Sequence, residues 1–143
     1  MKIGAYNLHL HSMSVHFTNA LYPVALFFLI LSNYYQPEFS RFAYFHVMIL
    51  ATVSVPVSYL TGLTEWKKKY RGFTTAIFLR KIKYGLVVFG LGLLCTIWYG
   101  ASPGIVESAG IGRTAFYACN VAIVPIIFYL GYLGGRLVFG GAH

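Results

Sequence analysis

Histidine has the widest chemical range of any residue type in this sequence, because its imidazole binds metals and moves protons near neutral pH. The five histidines are His9, His11, His16, His46 and His143. Other reactive side chains are scarce: the acidic ones are Glu38, Glu65 and Glu107, and the two cysteines, Cys95 and Cys119, stand far apart. We therefore expect neither a catalytic pair of carboxylates nor an iron–sulfur cluster held by four thiolates.

The elements that must position these histidines are four long segments without a formal charge, at residues 3–37, 42–64, 84–106 and 114–135. Each is long enough to cross a hydrocarbon core of roughly 30 Å at about 1.5 Å per residue. Only 10% of the residues are charged, against about 25% in a soluble domain, which excludes a soluble enzyme. The sequence predicts an all-α, four-helix transmembrane bundle as one domain, with helices at about residues 17–35, 43–63, 82–99 and 115–136.

The basic residues predict the orientation of these helices. Seven of the 11 lysines and arginines fall in the predicted loop of residues 65–83, between the second and third helices. The positive-inside rule then puts this loop and both termini in the cytoplasm. Topology and anionic lipid account for the net charge of +8, so nucleic acid is not an expected partner.

Two histidines fall at membrane depth, where an ionisable group is costly and indicates a functional site. His16 is predicted at the inner end of the first helix and His46 about five residues inside the outer end of the second. Their depths would differ by roughly 20–25 Å, so they would serve two centres, as in a transmembrane electron path through imidazole-bound haem. A second inner ligand would be His9, His11 or His143, and the partner of His46 would be Met48, another copy or another subunit.

Simpler interpretations of the same residues stay open. His46 would hydrogen-bond a hydroxyl group on a neighbouring helix, as polar groups in membrane bundles often do. His9 and His11 would be hydrated residues at the interface. Arg136 would extend towards lipid headgroups, or it would hold an anionic group such as a haem propionate or a quinone head group.

Three sequence motifs carry a resemblance to a known family. His11-Ser12-Met13-Ser14-Val15-His16-Phe17 resembles the His-Pro-x-x-Val-His-Phe-Pro opening of an uncharacterised family of small four-helix bacterial inner-membrane proteins. Thr61-Gly62-Leu63-Thr64-Glu65-Trp66 resembles the Thr-Gly-Leu-x-Asp/Glu-Trp segment of that family, and Gly134-Gly135-Arg136-Leu137-Val138 its Gly-Gly-Arg-Leu-Val segment. Ser12 and Thr18 stand where the family has prolines.

Members of that family are often fused to Rieske iron–sulfur or c-type cytochrome modules, so the resemblance implies a redox role in the bacterial inner membrane. All three motifs fall on the inner side of the predicted topology. Their convergence there predicts a site that includes His11, His16, Trp66 and Arg136.

The leading hypothesis is a membrane subunit of a bacterial respiratory electron-transfer assembly. It would bind haem b through the metal ligands His16 and His46, with His11, Trp66 and Arg136 lining the inner site, and exchange electrons with quinone or a partner cytochrome. Its partners would be the lipid bilayer and other redox subunits (cytochrome c or an iron–sulfur protein) or a second copy of itself. The alternatives are a cofactor-free membrane anchor or scaffold subunit of a redox complex, and a small-molecule channel or transporter.

Overall fold

The computed structural model describes the backbone of residues 3–69 and 71–139 and the side chains of residues 11–68 and 71–136. Its four α-helices are α1 (Ile3–Leu31), α2 (Pro37–Lys69), α3 (Ala76–Ala101) and α4 (Ile111–Phe139), with a short 3-10 helix, Pro103–Val106, between α3 and α4. No strand occurs in this part of the chain. All four helices are long and apolar enough to cross a membrane, which confirms the predicted fold class.

The helices are longer than their predicted apolar cores. α2 continues to Lys69 and α3 begins at Ala76, so much of the predicted loop of residues 65–83 is helical. Lysine and glutamate form helices well, so a charge ends the apolar segment without ending the helix. Only the C-terminal end of α1 falls short of the prediction, at Leu31 where residue 35 was predicted. There Ser32 and Asn33 donate side-chain hydrogen bonds to Leu29 O and end the helix by competing for its last carbonyls.

The helices form a four-membered ring in which α1 contacts α2 and α4, and α3 contacts the same two neighbours. The N-terminal end of α1 and the C-terminal end of α4 therefore lie at one end of the bundle, together with the connection between α2 and α3. We call this the basic end, because the connection and the adjoining turns carry most of the basic residues. We call the other the distal end.

Side chains from opposite helices meet across the centre of the ring. Tyr44 of α2 donates its hydroxyl hydrogen to Asn120 Oδ1 of α4 at 2.9 Å, and both residues are buried. Tyr22 of α1 lies over Gly92 of α3, with its hydroxyl oxygen 2.5 Å from where a Cβ would be. The largest fully buried side chains, which include Tyr22, Tyr44 and Phe116, fill this centre.

Candidate functional site

The side chain of His46 is exposed on the face of α2 that points away from the bundle. His46 is five residues further into the membrane than Arg41, which is a distance of about 7.5 Å along the helix. Its Nδ1 is 2.8 Å from the carbonyl oxygen of Phe42, one turn earlier. A carbonyl only accepts hydrogen bonds, so Nδ1 carries the proton and Nε2 of the neutral ring keeps its lone pair. Among the described residues, Nε2 has no partner. The structure thus presents an unprotonated imidazole nitrogen on the surface of the bundle.

Aromatic side chains surround this imidazole. The ring of Phe42 lies 4.0 Å from the His46 ring, centroid to centroid, and that of Phe45 lies 5.8 Å away. Tyr99 of α3 packs against Phe45 with a centroid distance of 5.3 Å. Together they form one wall of an open groove of about 410 Å³, whose lining is Glu38, Arg41, Phe42, Phe45, His46, Tyr99, Gly100 and Pro103.

Arg41 supplies the positive charge of this groove. Its guanidinium forms an ion pair with Glu107, which follows the 3-10 helix. The Arg41 Nε is buried and has no hydrogen-bond partner among the described residues. Arg41 and Glu107 also line a second groove of about 610 Å³ at the distal end. The Nε–H group is thus enclosed by protein and unpaired within the described part of the chain, while Glu107 balances the charge of the guanidinium.

This donor set fits only certain metal centres. No group of three or more His, Cys, Asp or Glu side chains that could enclose a metal ion occurs within the described residues. Haem differs from a bare ion in this respect, because its four porphyrin nitrogens already bind the iron and a single protein imidazole is sufficient to hold it. Of the groove residues, His46 would bind the iron of such a group, the aromatic wall would contact its ring and Arg41 would face its carboxylates.

His11 has a different role in the structure. Its Nδ1 lies 3.1 Å from Thr61 Oγ1 on α2, and Thr61 Oγ1 is also 3.2 Å from Ser14 Oγ. The imidazole packs against Gly62, where an added Cβ would come within 2.9 Å of His11 Cε1. Two of the family-like motifs therefore meet here, and His11 helps to join α1 to α2 as part of a polar helix interface.

His16 is not brought to the same place as His11. Five residues along an α-helix correspond to a rotation of about 140°, so His11 faces α2 whereas His16 is exposed. The imidazole of His16 makes no hydrogen bond to another described residue. The side chain of His9 and all of His143, the other proposed inner ligands, lie outside the described side chains.

The two exposed histidines are closer in depth than the sequence suggested. Thr18 of α1 lies beside Ser54 and Ser58 of α2, with oxygen–oxygen distances of 2.8 and 3.0 Å. Because these helices are antiparallel, His16 lies level with about residues 56–60, which puts it roughly 15–20 Å from the depth of His46. The earlier end of α1 accounts for much of the difference from the expected separation. The two histidines still belong to separate sites.

Trp66 and Arg136 have different surroundings in the structure. Trp66 donates its Nε1 hydrogen to Phe73 O at 2.9 Å and stacks on Phe78 with a centroid distance of 5.0 Å. It thereby holds the connection between α2 and α3 in place. Arg136 has an exposed side chain at the basic end of α4, where headgroup contact is the simplest role for a long cationic side chain.

Lys81 lies beside the third family-like motif, residues 134–138, at the basic end. It is half-buried, and its Nζ lies 3.7 Å from where a Cβ on Gly134 would be. It also lies within electrostatic range of Glu65 and of His11. One residue from each of the three motifs, His11, Glu65 and Gly134, thus lies near Lys81.

Sequence reasoning missed the groove beside His46. Phe42 and His46 are four residues apart and so share a helix face, which the sequence could have indicated. The contribution of Tyr99 and Pro103 depends on how α2 packs against α3, and no spacing in the sequence gives that. Met48, named above as a possible ligand partner of His46, is buried in the core with 1% exposure and points away from the groove.

The fold defines a four-helix membrane protein, with the exposed imidazole of His46 towards the distal end and that of His16 towards the basic end. Residues 7–142 match the family described as predicted membrane protein (DUF2231), and the chain belongs to this family. The expected resemblance to a membrane-protein family is confirmed at that level. The comparisons with curated proteins and with solved structures gave no match.

Proposed function

We propose that this chain is a membrane subunit of a bacterial respiratory electron-transfer assembly that binds haem b at His46 and exchanges electrons with quinone or a partner cytochrome. The observation that supports this most directly is the Nδ1 hydrogen bond from His46 to Phe42 O. Metal-ligating histidines characteristically donate the N–H hydrogen of their second ring nitrogen to such a carbonyl. This hydrogen bond fixes the orientation of the ring and makes the other nitrogen more basic.

The rest of the groove supports the same ligand. Phe42 and Phe45 offer an apolar surface that would shield the face of a porphyrin from water. Arg41 lines the groove towards the membrane surface, where propionates would leave the hydrocarbon, and a propionate there would share its guanidinium with Glu107. When bound, haem would supply one-electron redox chemistry, while the chain would ligate and orient it and set its surroundings.

The proposal places the chain in the bacterial inner membrane as a multi-pass protein with the basic end and both termini in the cytoplasm. The lysines and arginines of the connection between α2 and α3 support this orientation. His46 is then on the periplasmic side, where a cytochrome c or an iron–sulfur subunit would exchange electrons. His16 remains the candidate ligand of a second centre near the cytoplasmic side.

The experiment is spectroscopic. The protein is purified in mild detergent, and its reduced-minus-oxidised spectrum and pyridine haemochrome are recorded for the wild-type chain and for His46→Ala and His16→Ala. We expect a b-type band in the wild-type protein that His46→Ala removes, or halves where His16 holds a second haem, in which case His16→Ala removes the other half. The folded fraction should not change, because both side chains are exposed. Absence of any haem signal from the wild-type protein would exclude the proposal.

One observation favours a second function, that of a cofactor-free membrane anchor for redox subunits. The described core is filled by buried side chains such as Tyr22, Tyr44 and Phe116, and the polar groups of α1 and α2 pair with one another. Under this function, His46→Ala would leave both the spectrum and the assembly with partner subunits unchanged. No observation on the described residues favours the channel or transporter.

A further inference from the structure

We infer that the seam between α1 and α4, in its basic half, binds the head group of a quinone, with His16 and Asn19 of α1 as the hydrogen-bonding residues. This inference rests on the proposed function, because it gives a place to the quinone named there. It assigns His16 to the quinone instead of a second haem, and the haem content of a His16 variant separates the two assignments.

Among the described residues, hydrogen bonds join α1 to α4 only at the distal end. There Asn33, just after α1, donates to the Tyr117 hydroxyl of α4 at 2.8 Å and accepts from Arg113 at 2.7 Å. α1 also packs less extensively against α4 than against α2. The basic half of the seam is therefore the part that a ligand from the bilayer can enter without breaking a hydrogen bond between the two helices.

Glycines on α4 leave space along this half of the seam. Gly131 faces α1, since a Cβ there would lie 3.5 Å from Asn19 Nδ2 and would meet no other described atom within 4 Å. At Gly135, one turn nearer the basic end, a Cβ would meet no described atom at all within 4 Å. A flat ring can therefore approach the backbone of α4 at this position.

His16 and Asn19 border this space from α1. They are three residues apart, so they are neighbours on the helix surface, separated by about 4.5 Å along the axis. They lie about 7.5 and 12 Å inside the basic end of the α1 membrane span, which begins at His11. Neither side chain has a hydrogen-bond partner among the described residues. An unpaired polar group at such a depth is costly, and a ligand that accepts its hydrogen offsets that cost.

A quinone has the chemistry that this pair recognises. Its two carbonyl oxygens accept hydrogen bonds, and the His16 imidazole and the Asn19 amide can each donate one. Its ring is flat and neutral, and the slot beside the glycine backbone suits such a shape. Its isoprenoid tail must leave towards the hydrocarbon. Phe128, one turn further into the membrane than Gly131 and 69% exposed, offers an apolar surface for that tail.

The headgroup of an anionic lipid fits the pair less well. A phosphate is attracted by cations, and Arg136 is the exposed cation of α4 in this region. Asn19 is level with Gly131, five residues or about 7.5 Å deeper than Arg136. A phosphate bound by Arg136 would leave the Asn19 amide unpaired, whereas a neutral ring can reach that depth at a lower cost than a charge.

The first test is photoaffinity labelling of the purified chain in nanodiscs with an azido-ubiquinone, competed by excess decylubiquinone and mapped by peptide mass spectrometry. We expect competed labels on residues 15–23 of α1 and 128–135 of α4. Labels that are not competed, or that lie on other helices, would overturn this inference and leave haem binding at His46 standing. Competed labels in the seam of a protein without haem would support this site and overturn haem binding.

The second test removes the amide. We expect Asn19→Leu to lower the affinity for decylubiquinone roughly 3–10-fold, through loss of one hydrogen bond. Stability in sodium dodecyl sulfate mixed micelles should be unchanged or higher, because the variant no longer holds an unpaired amide in the membrane. A residue that only packs the helices would instead reduce stability when replaced. Unchanged affinity in Asn19→Leu would overturn the inference, whatever the stability of the variant.

The third test separates the two assignments of His16. We expect His16→Ala to lower the affinity for decylubiquinone by a similar factor and to leave the haem content per chain unchanged. A fall in the haem content would identify His16 as an iron ligand and overturn the inference.

The fourth test fills the slot. Gly135→Leu adds a side chain to the space beside α1, and Gly90→Leu is the matched control on α3, where a Cβ also meets no described atom within 4 Å. We expect Gly135→Leu to lower the competed labelling several-fold and Gly90→Leu to leave it unchanged, with both variants folded. Equal labelling of the two variants would contradict the proposed position of the ring.

Discussion

The imidazole of His11 and the backbone of Gly62 are in direct contact, so that a Cβ at position 62 would lie 2.9 Å from His11 Cε1. The contact joins two of the family-like motifs. A hydrogen bond between His11 and Thr61, which are 50 residues apart in the sequence, joins the same two motifs. The absence of a side chain at Gly62 allows α1 and α2 to approach closely, as small residues do in membrane bundles. This explains both motif positions without a cofactor.

Gly62→Ala is expected to destabilise the bundle. The added methyl group must displace the His11 ring and weaken its bond to Thr61, at a cost of about 1–3 kcal/mol in the free energy of unfolding. Unfolding in sodium dodecyl sulfate mixed micelles measures the loss. His11→Ala in the same chain removes the clash, so the double variant should lose less than the sum of the two single changes, and strict additivity would contradict the contact.

Gly92→Ala tests the diagonal contact between α1 and α3. A Cβ at this position would lie 2.5 Å from the Tyr22 hydroxyl and 2.8 Å from Thr52 Oγ1, both in the buried centre. We expect a loss of about 1–3 kcal/mol. Gly90→Ala is the matched control on the same helix, because a Cβ there meets nothing within 4 Å. Gly90→Ala should be neutral or slightly stabilising. Similar losses of stability in the two variants would contradict the predicted clash at Gly92.

The sequence was sufficient to predict the fold class, because a long, charge-free apolar segment in lipid has few structures other than a helix that satisfy its backbone hydrogen bonds. It was less accurate for the helix ends. The apolar segment before Glu38 continues through Tyr34 and Tyr35, but Asn33 bonds the carbonyls of Leu29 and Ile30 and ends α1 earlier. Such a local competition between side chain and backbone is invisible to a hydropathy pattern.

The candidate site was predictable only in part. The cost of an imidazole at membrane depth predicted a role for His46 and His16. The structure places both side chains on the surface that faces away from the bundle. That His11 faces α2 follows from its helical spacing once the partner helix is known. The groove at His46 depends on Tyr99 and Pro103, which tertiary packing brings beside α2.

Tyr44→Phe tests the hydrogen bond that crosses the centre of the bundle. Removal of the hydroxyl leaves the buried Asn120 Oδ1 without the donor that lies 2.9 Å away, and we expect a loss of about 0.6–2 kcal/mol in the free energy of unfolding. Tyr99→Phe is the control, because the Tyr99 hydroxyl makes no hydrogen bond to another described residue. A double-mutant cycle of Tyr44→Phe with Asn120→Ala should show coupling of similar size, and no coupling would mean the bond contributes nothing.

The orientation of the bundle can be tested at its two ends with one reagent. Thr74 lies in the connection at the basic end and Ser108 in the connection between α3 and α4 at the distal end, and both are exposed. If the basic end is cytoplasmic, a membrane-impermeant maleimide should label Ser108→Cys in spheroplasts and Thr74→Cys only after lysis. The wild-type chain is the background control, because Cys95 is buried and Cys119 is half-buried. Labelling of Thr74→Cys in intact spheroplasts would reverse the orientation and move His46 to the cytoplasmic side, where a periplasmic cytochrome could not reach its haem.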